Sequence, residues 1–238
     1  MGTMLLVACG SAKAPASPTS PAAVAQEAPE QKPLPAEKSG AASGGLFVGC
    51  GFLFVDNEGN VPYSVFFAGN DVKHVPHETE IAIVLDGVLI EVNATTSEEI
   101  GVPGARGMAL LQAHKDWETE HIRKTKGWPE FTGAGAGGRL DFGRSDLDAM
   151  MWGLDLPSEV EVLNQRVSRL AFVTAAIDNA VLVLTVPLRP DDELRTPAAK
   201  TGAAIRSLKL LSQPLDVNTL AEELEALNKP WSGCPEGE

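Results

Sequence analysis

Two histidines and two carboxylates crowd into His74-Val75-Pro76-His77-Glu78-Thr79-Glu80. Imidazole nitrogen and carboxylate oxygen are the ligand types that hold zinc. His74, His77, Glu78 and Glu80 are therefore the candidate metal ligands, and a metal-dependent hydrolase using the His74/His77 loop is one functional class to weigh. Pro76 breaks any helical register through them, and no matching pair stands elsewhere, so a solvated loop is the expectation. His114, Glu118 and His121 fall at i, i+4 and i+7, on one face of a helix. The His-Glu-x-x-His zinc motif needs its histidines four apart, so these are expected as core or boundary residues. Asp141, Asp146 and Asp148 offer oxygen ligands for calcium but lack the spacing and terminal Glu of an EF-hand loop; solvated acids are expected. Gly133-Ala134-Gly135-Ala136-Gly137-Gly138 follows Trp128-Pro129 rather than a strand, and no Gly-Lys-Ser/Thr is present, so a flexible loop is expected and not a nucleotide cradle. No Gly-x-Ser-x-Gly elbow occurs, and Cys50 lies in an apolar stretch where a thiol is inert. No cofactor is expected.

The elements that must carry these residues follow from hydrophobic period and turn chemistry. Residues 46–55 read as one strand, 56–60 as a turn and 61–68 as a second strand, making a hairpin. Residues 79–85 are apolar on both faces, which suits a central strand. Asp86-Gly87 is a strong hairpin signal. After it Val88, Ile90, Val92 and Ala94 alternate with Glu91, Asn93 and Thr95, predicting a half-exposed strand. A helix is predicted over 105–126 from Leu110, Ala113, Trp117 and His121, with Gly127 as its cap and Arg123, Lys124 and Lys126 at the negative end of its dipole. A loop should occupy 132–146. Strands follow at 149–156, 170–177 and 180–188, the last two joined at Asp178-Asn179. Helices are predicted over 197–211, on Ala204, Ile205, Leu208 and Leu211, and over 218–227, with Thr219 and Glu222 as a capping box.

Composition narrows the classes. The 238 residues are 44 % hydrophobic with a net charge of −13. This balance argues against nucleic acid as a partner and against electrostatic docking on anionic lipid. No apolar run reaches the ~18 residues of a membrane-spanning helix, so any membrane link is expected to be covalent.

Leu6-Val7-Ala8-Cys9 supplies such a link. It resembles the lipobox of bacterial lipoproteins, in which Leu and two small residues precede a lipidated Cys. The resemblance implies lipidation of Cys9, a bacterial cell-envelope location and a membrane partner held through that lipid. With Gly10, not Asp, after the Cys, it implies sorting to the outer membrane, facing the periplasm or the cell surface. Residues 1–8 read as a truncated signal peptide: Met4-Leu5-Leu6-Val7-Ala8 is apolar, but no Lys or Arg precedes it. Residues 9–44 then form a tether rich in Pro, Ala and Ser, too poor in large apolar groups to offset chain entropy and expected to be disordered. Residues 45–238 are expected as one globular body. With Cys9 taken by lipid, Cys50 and Cys234 remain, and an oxidising compartment favours their pairing; two unpaired thiols are the alternative.

The expected fold is α+β, a mainly antiparallel sheet of about six to seven strands covered by helices. From residue 46 to about 211 the element order, with Val181-Leu182-Val183-Leu184-Thr185 before the last long helix, resembles the PsbP-like α/β/α sandwich. That resemblance implies a non-enzymatic binding or assembly-assisting module with an envelope protein as partner, and assigns no site residue.

Overall fold

The computed structural model describes residues 44–48, 51–57, 60–69, 71–75, 81–126, 137–162, 165–193 and 195–227. Cys9, Cys50, Cys234, His77, Glu78, Glu80, the tether as far as residue 43 and the Gly127 cap lie outside the described residues, as does the side chain of His74; Gly44, read as the end of the tether, opens the first strand. The class is α+β, with two antiparallel sheets and three helices among the described residues. The larger sheet has seven strands, where a single sheet of about six to seven was expected, but the strands read over 46–55 and 61–68 are not among them. A second sheet of four strands, not foreseen, covers one of its faces.

The small sheet contains β1 (Gly44–Val48), β2 (Gly51–Asp56), β3 (Tyr63–Ala68) and β11 (Lys209–Leu210), in the order β1-β2-β3-β11. The expected single strand over 46–55 is thus two. Val48 pairs with Gly51 and Leu46 with Leu53, so the chain reverses between them. The run has no polar residue to mark the reversal, and the glycines at 49 and 51 were its only sign. The predicted hairpin onto 61–68 is present as β2–β3, closing at Asp56 opposite Tyr63.

The large sheet contains β4 (Val72–Val75), β5 (Ile81–Leu85), β6 (Val88–Thr96), β7 (Gly138–Leu140), β8 (Ala149–Val162), β9 (Gln165–Ile177) and β10 (Ala180–Leu188), in the order β4-β5-β6-β10-β9-β8-β7. Asp86 and Gly87 have φ of 48° and 80°. A tight turn with both central residues left-handed is what Asp-Gly favours. At the β9–β10 turn Asp178 takes φ 51°. Residues 138–140, expected in a loop, form the edge strand β7 against Met150 and its neighbours.

The β8–β9 hairpin runs well past the strand read over 149–156. Between Asp155 and Val160 its register slips, so that residues 156–159 stand against Ser168 alone. Pro157 lies in this irregularity. A residue without an N–H is accommodated at such a bulge and not in a regular ladder. Beyond it Val160 pairs with Val167, which is buried.

Three helices pack on this frame. The first, α1 (Gly107–Lys126), lies where the spacing predicted it. The second, α2 (Arg195–Ser207), stops four residues short of the predicted end. Lys209 and Leu210 pair instead with Ser64 and Tyr63 as β11. Ser207 clips the end of α2 to β3: its Oγ accepts from Phe66 N at 2.8 Å and donates to Phe66 O at 3.0 Å. The third, α3 (Val217–Leu227), is capped by Asp216, whose Oδ1 accepts from Asn218 N at 2.8 Å and Thr219 N at 3.3 Å. Thr219 is therefore inside the helix and not its cap.

Two apolar layers meet the large sheet. Between the sheets, Phe54, Val65 and Phe67 oppose Ile83, Ile90 and Leu184, all buried. Side chains of this size contribute about 1.5–3 kcal/mol each when removed from water. The opposite face carries α1, packed through Leu110, Leu111 and Ile122 on Trp152, Phe172 and Val183. A smaller cluster of Val48, Leu53, Val55 and Val217 seats α3 on the outer face of the small sheet.

Candidate functional site

The concentration of buried polar groups lies under α1. Leu110, His114, Glu118 and Ile122 recur every four residues and face the sheet as one stripe. Leu110 and Ile122 belong there by chemistry; His114 and Glu118 occupy the middle of the same stripe, 1 % and 3 % exposed. The expectation of core or boundary residues fits both histidines, His114 in the core and His121 at its boundary. His121, one turn further round, is only half-buried; it stacks on Trp117 at 5.1 Å and brings Nε2 within 3.4 Å of Thr125 Oγ1. The helix therefore separates the three residues that its spacing grouped.

Beneath the helix the sheet presents a row in register. Trp152 pairs with Phe172, Phe172 with Thr185 and Thr185 with Glu91, and directly opposed residues of antiparallel strands share a face. Trp152 and Phe172 stack at 3.9 Å with an 8° interplanar angle. Glu91 was expected to face solvent, because it alternates with Ile90 and Val92. It does face away from them, but this second side of the sheet is covered too, and Glu91 is 9 % exposed. In the next row Thr174 donates to Met150 O at 3.2 Å.

The electrostatics follow from burial. Among the described residues Nδ1 of His114 and Nε1 of Trp152 have no hydrogen-bond partner. The nearest oxygen of Glu118, Oε2, is 3.9 Å from His114 Nε2, too far for a hydrogen bond. Burial pushes the imidazole down from 6.5 to about 4, because the charged form loses its hydration without gaining a bonded partner. His114 is accordingly neutral at pH 7.

Around this layer, charged groups tie elements together. Arg106, before α1, pairs with Asp178 in the β9–β10 turn at 2.9 Å. Asn179 in that turn donates to Glu98 at 3.1 Å and accepts from Asn60 N at 3.0 Å, linking the α1 side to the β2–β3 loop of the other sheet. Glu98 sits below the usual carboxylate range, first through a backbone hydrogen bond and then through Asn179 and Ser97. On the outer face of α1, Arg123 and Lys124 both pair with Glu120 and hold its carboxyl at about 2. These two basic residues thus meet a side chain as well as the helix dipole.

The calcium candidates are engaged one by one. Asp141 Oδ1 accepts from Gly143 N at 2.7 Å, Asp146 pairs with Arg144 and Asp148 pairs with Arg139. Gly107, with φ 55°, comes so close to Asp148 that a Cβ there would lie 2.6 Å from Oδ2. The expected solvated acids are in part turn-forming and ion-paired acids. His74 lies on β4 opposite Ile83, in a strand where a loop was expected. Among the described residues no group of three or more His, Cys, Asp or Glu is placed to hold a metal ion.

The site that spacing alone missed is the pairing of the α1 stripe with the Trp152–Glu91 row. Its traces were the polar pair inside an apolar helical stripe and the acid in the middle of β6. No protein-family model, curated protein or solved structure matches the chain.

Proposed function

We propose that this chain is a cell-envelope lipoprotein, anchored by lipid on Cys9, whose folded body acts as a non-enzymatic binding or assembly-assisting module for an envelope partner. The observation that carries the proposal is the order of Leu6-Val7-Ala8-Cys9, a Pro- and Ala-rich stretch, and then β1 at Gly44. Anchor, leash and body follow one another as a domain held off a membrane requires. The PsbP-like resemblance points the same way. The geometry is compatible with it: the carboxylates of Asp146 and Asp148 are spent on ion pairs within the chain, and the imidazole of His114 is shut inside.

The test is Cys9→Ser, expressed behind a complete signal sequence. The parent protein should partition into detergent with the membrane fraction and the variant should stay in the aqueous phase; a variant that remains with the membrane overturns the anchor. Metal content of the purified protein separates this function from the hydrolase alternative, since stoichiometric zinc would favour His74 and His77. The same location pairs Cys50 with Cys234 in an oxidising compartment. Closing so long a loop stabilises by about 4–5 kcal/mol in the chain-entropy model. Non-reducing peptide mapping should recover the two cysteines in one linked species, and finding both alkylated without reduction sinks the bridge.

A further inference from the structure

We propose that His114 and Glu118 make α1 an acid-sensitive latch: proton uptake beneath the helix loosens it from the seven-stranded sheet while the layer between the two sheets stays closed. The inference rests on where the two groups sit. They are the middle of the buried stripe that seats α1, with Leu110 one turn before and Ile122 one turn after. A charge on His114 must therefore be accommodated inside the contact and not at its margin.

The surroundings offer that charge little. On α1 itself Glu118 stands 3.9 Å away, and Lys115 and His121 flank the stripe at half-buried positions. Among the described residues, β8, β9 and β10 present apolar side chains to the helix apart from Thr174 and Thr185. Glu91 is the first titratable group along the row, beyond Thr185. Asp148 lies below the first turn of α1 and is already paired with Arg139. Glu98 and Arg106, before the helix, are committed to Asn179 and Asp178. Among the described residues, then, a proton on His114 gains no hydrogen-bonded counter-ion unless the helix shifts, Glu118 standing within ion-pair range at 3.9 Å but beyond hydrogen-bond reach, whereas in a released helix the imidazole is hydrated and titrates near its ordinary value.

The sign follows from linkage. The released state binds a proton more readily than the seated state between pH 6.5 and about 4. Seating is therefore favoured above that window and is lost as pH falls through it. The opening equilibrium should rise about 30-fold from pH 8 to pH 5, on these two values. An exported protein meets the pH of its surroundings, but the latch does not depend on the envelope assignment and is tested on purified protein.

The experiment is hydrogen exchange read by mass spectrometry at pH 8 and pH 5, each corrected for the intrinsic chemical rate. Protection of α1 should drop by about 30-fold at pH 5, with β2, β3 and β10 unchanged. His114→Gln, which cannot titrate, should remove the pH dependence. The latch is overturned if α1 keeps its protection, if all elements lose protection together, or if the variant shows the same loss. Should the variant not fold, the His114 ring resonances of the parent protein decide. A midpoint near 6.5 with α1 still protected overturns the proposal; proton uptake that coincides with α1 opening upholds it.

Discussion

On one face of the seven-stranded sheet, Ile83, Ile90 and Leu184 meet Phe54, Val65 and Phe67 of the small sheet. The ionisable groups of that layer, Asp56 and Tyr63, stand at the closing pair of the β2–β3 hairpin. On the other face Leu110, Leu111 and Ile122 meet Trp152 and Phe172, but His114 and Glu118 occupy the centre of the contact. Both layers exclude water. They differ in what a proton can do to them. Apolar burial has no pH term, so the contact of Phe54, Val65 and Phe67 with Ile83, Ile90 and Leu184 should hold equally at pH 8 and pH 5. The α1 layer contains an imidazole that burial keeps neutral below pH 6.5, where a hydrated one takes up a proton, and its contribution must fall as pH drops through that range. Stability and responsiveness are thus assigned to opposite faces of one sheet.

The largest expected effect comes from opening the inter-sheet layer. Phe67 is fully buried and its ring lies 6.2 Å from that of Phe52. Phe67→Ala should cost about 3–5 kcal/mol, by the same amount at pH 8 and pH 5, in urea denaturation followed by far-UV circular dichroism. A cost that grows at the lower pH would mean that this layer also titrates.

Next comes the pH dependence itself. His114 falls from 6.5 to about 4 on burial. Global stability should therefore be fully present above pH 6.5 and decline toward pH 4, by at most about 3 kcal/mol from this group. His114→Gln should flatten that decline relative to the parent. Equal slopes for the two proteins would erase the proposed difference between the layers.

The smallest effect is expected outside both layers. Removing residues 1–43 keeps β1 whole, with Gly44 paired to Val55 and against Val217. The melting temperature should move by less than about 2 °C, since the composition of that stretch cannot bury enough surface to matter. A larger drop would show that the stretch packs on the body.

Much of the frame could be read from residues alone, and for local reasons. Asp86-Gly87 turns because its backbone angles are available to few other pairs. The span of α1 is legible because a long helix repeats its signal, although Ala113, Trp117 and His121, read as its apolar stripe, are only half-buried and Leu110, His114, Glu118 and Ile122 face the sheet. Other features were hidden, among them three whose cause is plain. The reversal between Val48 and Gly51 lies in a run with no polar residue, marked only by glycines at 49 and 51, where period cannot distinguish one strand from two. β11 is two residues long and exists because Lys209 and Leu210 meet the free edge of β3. The extension of β8 and β9 past Pro157 depends on a bulge, a property of two strands together and of neither by itself.

The same division runs through the candidate site. Sequence by itself determined that His114 and Glu118 share a helix face, because 3.6 residues per turn requires it. It also determined that Glu91 lies across its strand from Ile90 and Val92, because strand side chains alternate. It did not determine which faces would be covered. A polar residue on the far side of a strand points to water only if nothing is stacked there, and whether a helix is stacked there depends on pairings far apart along the chain. The packing of α1 over β8, β9 and β10 took His114 and Glu118 out of water, and burial, not residue type, moved the imidazole to about 4.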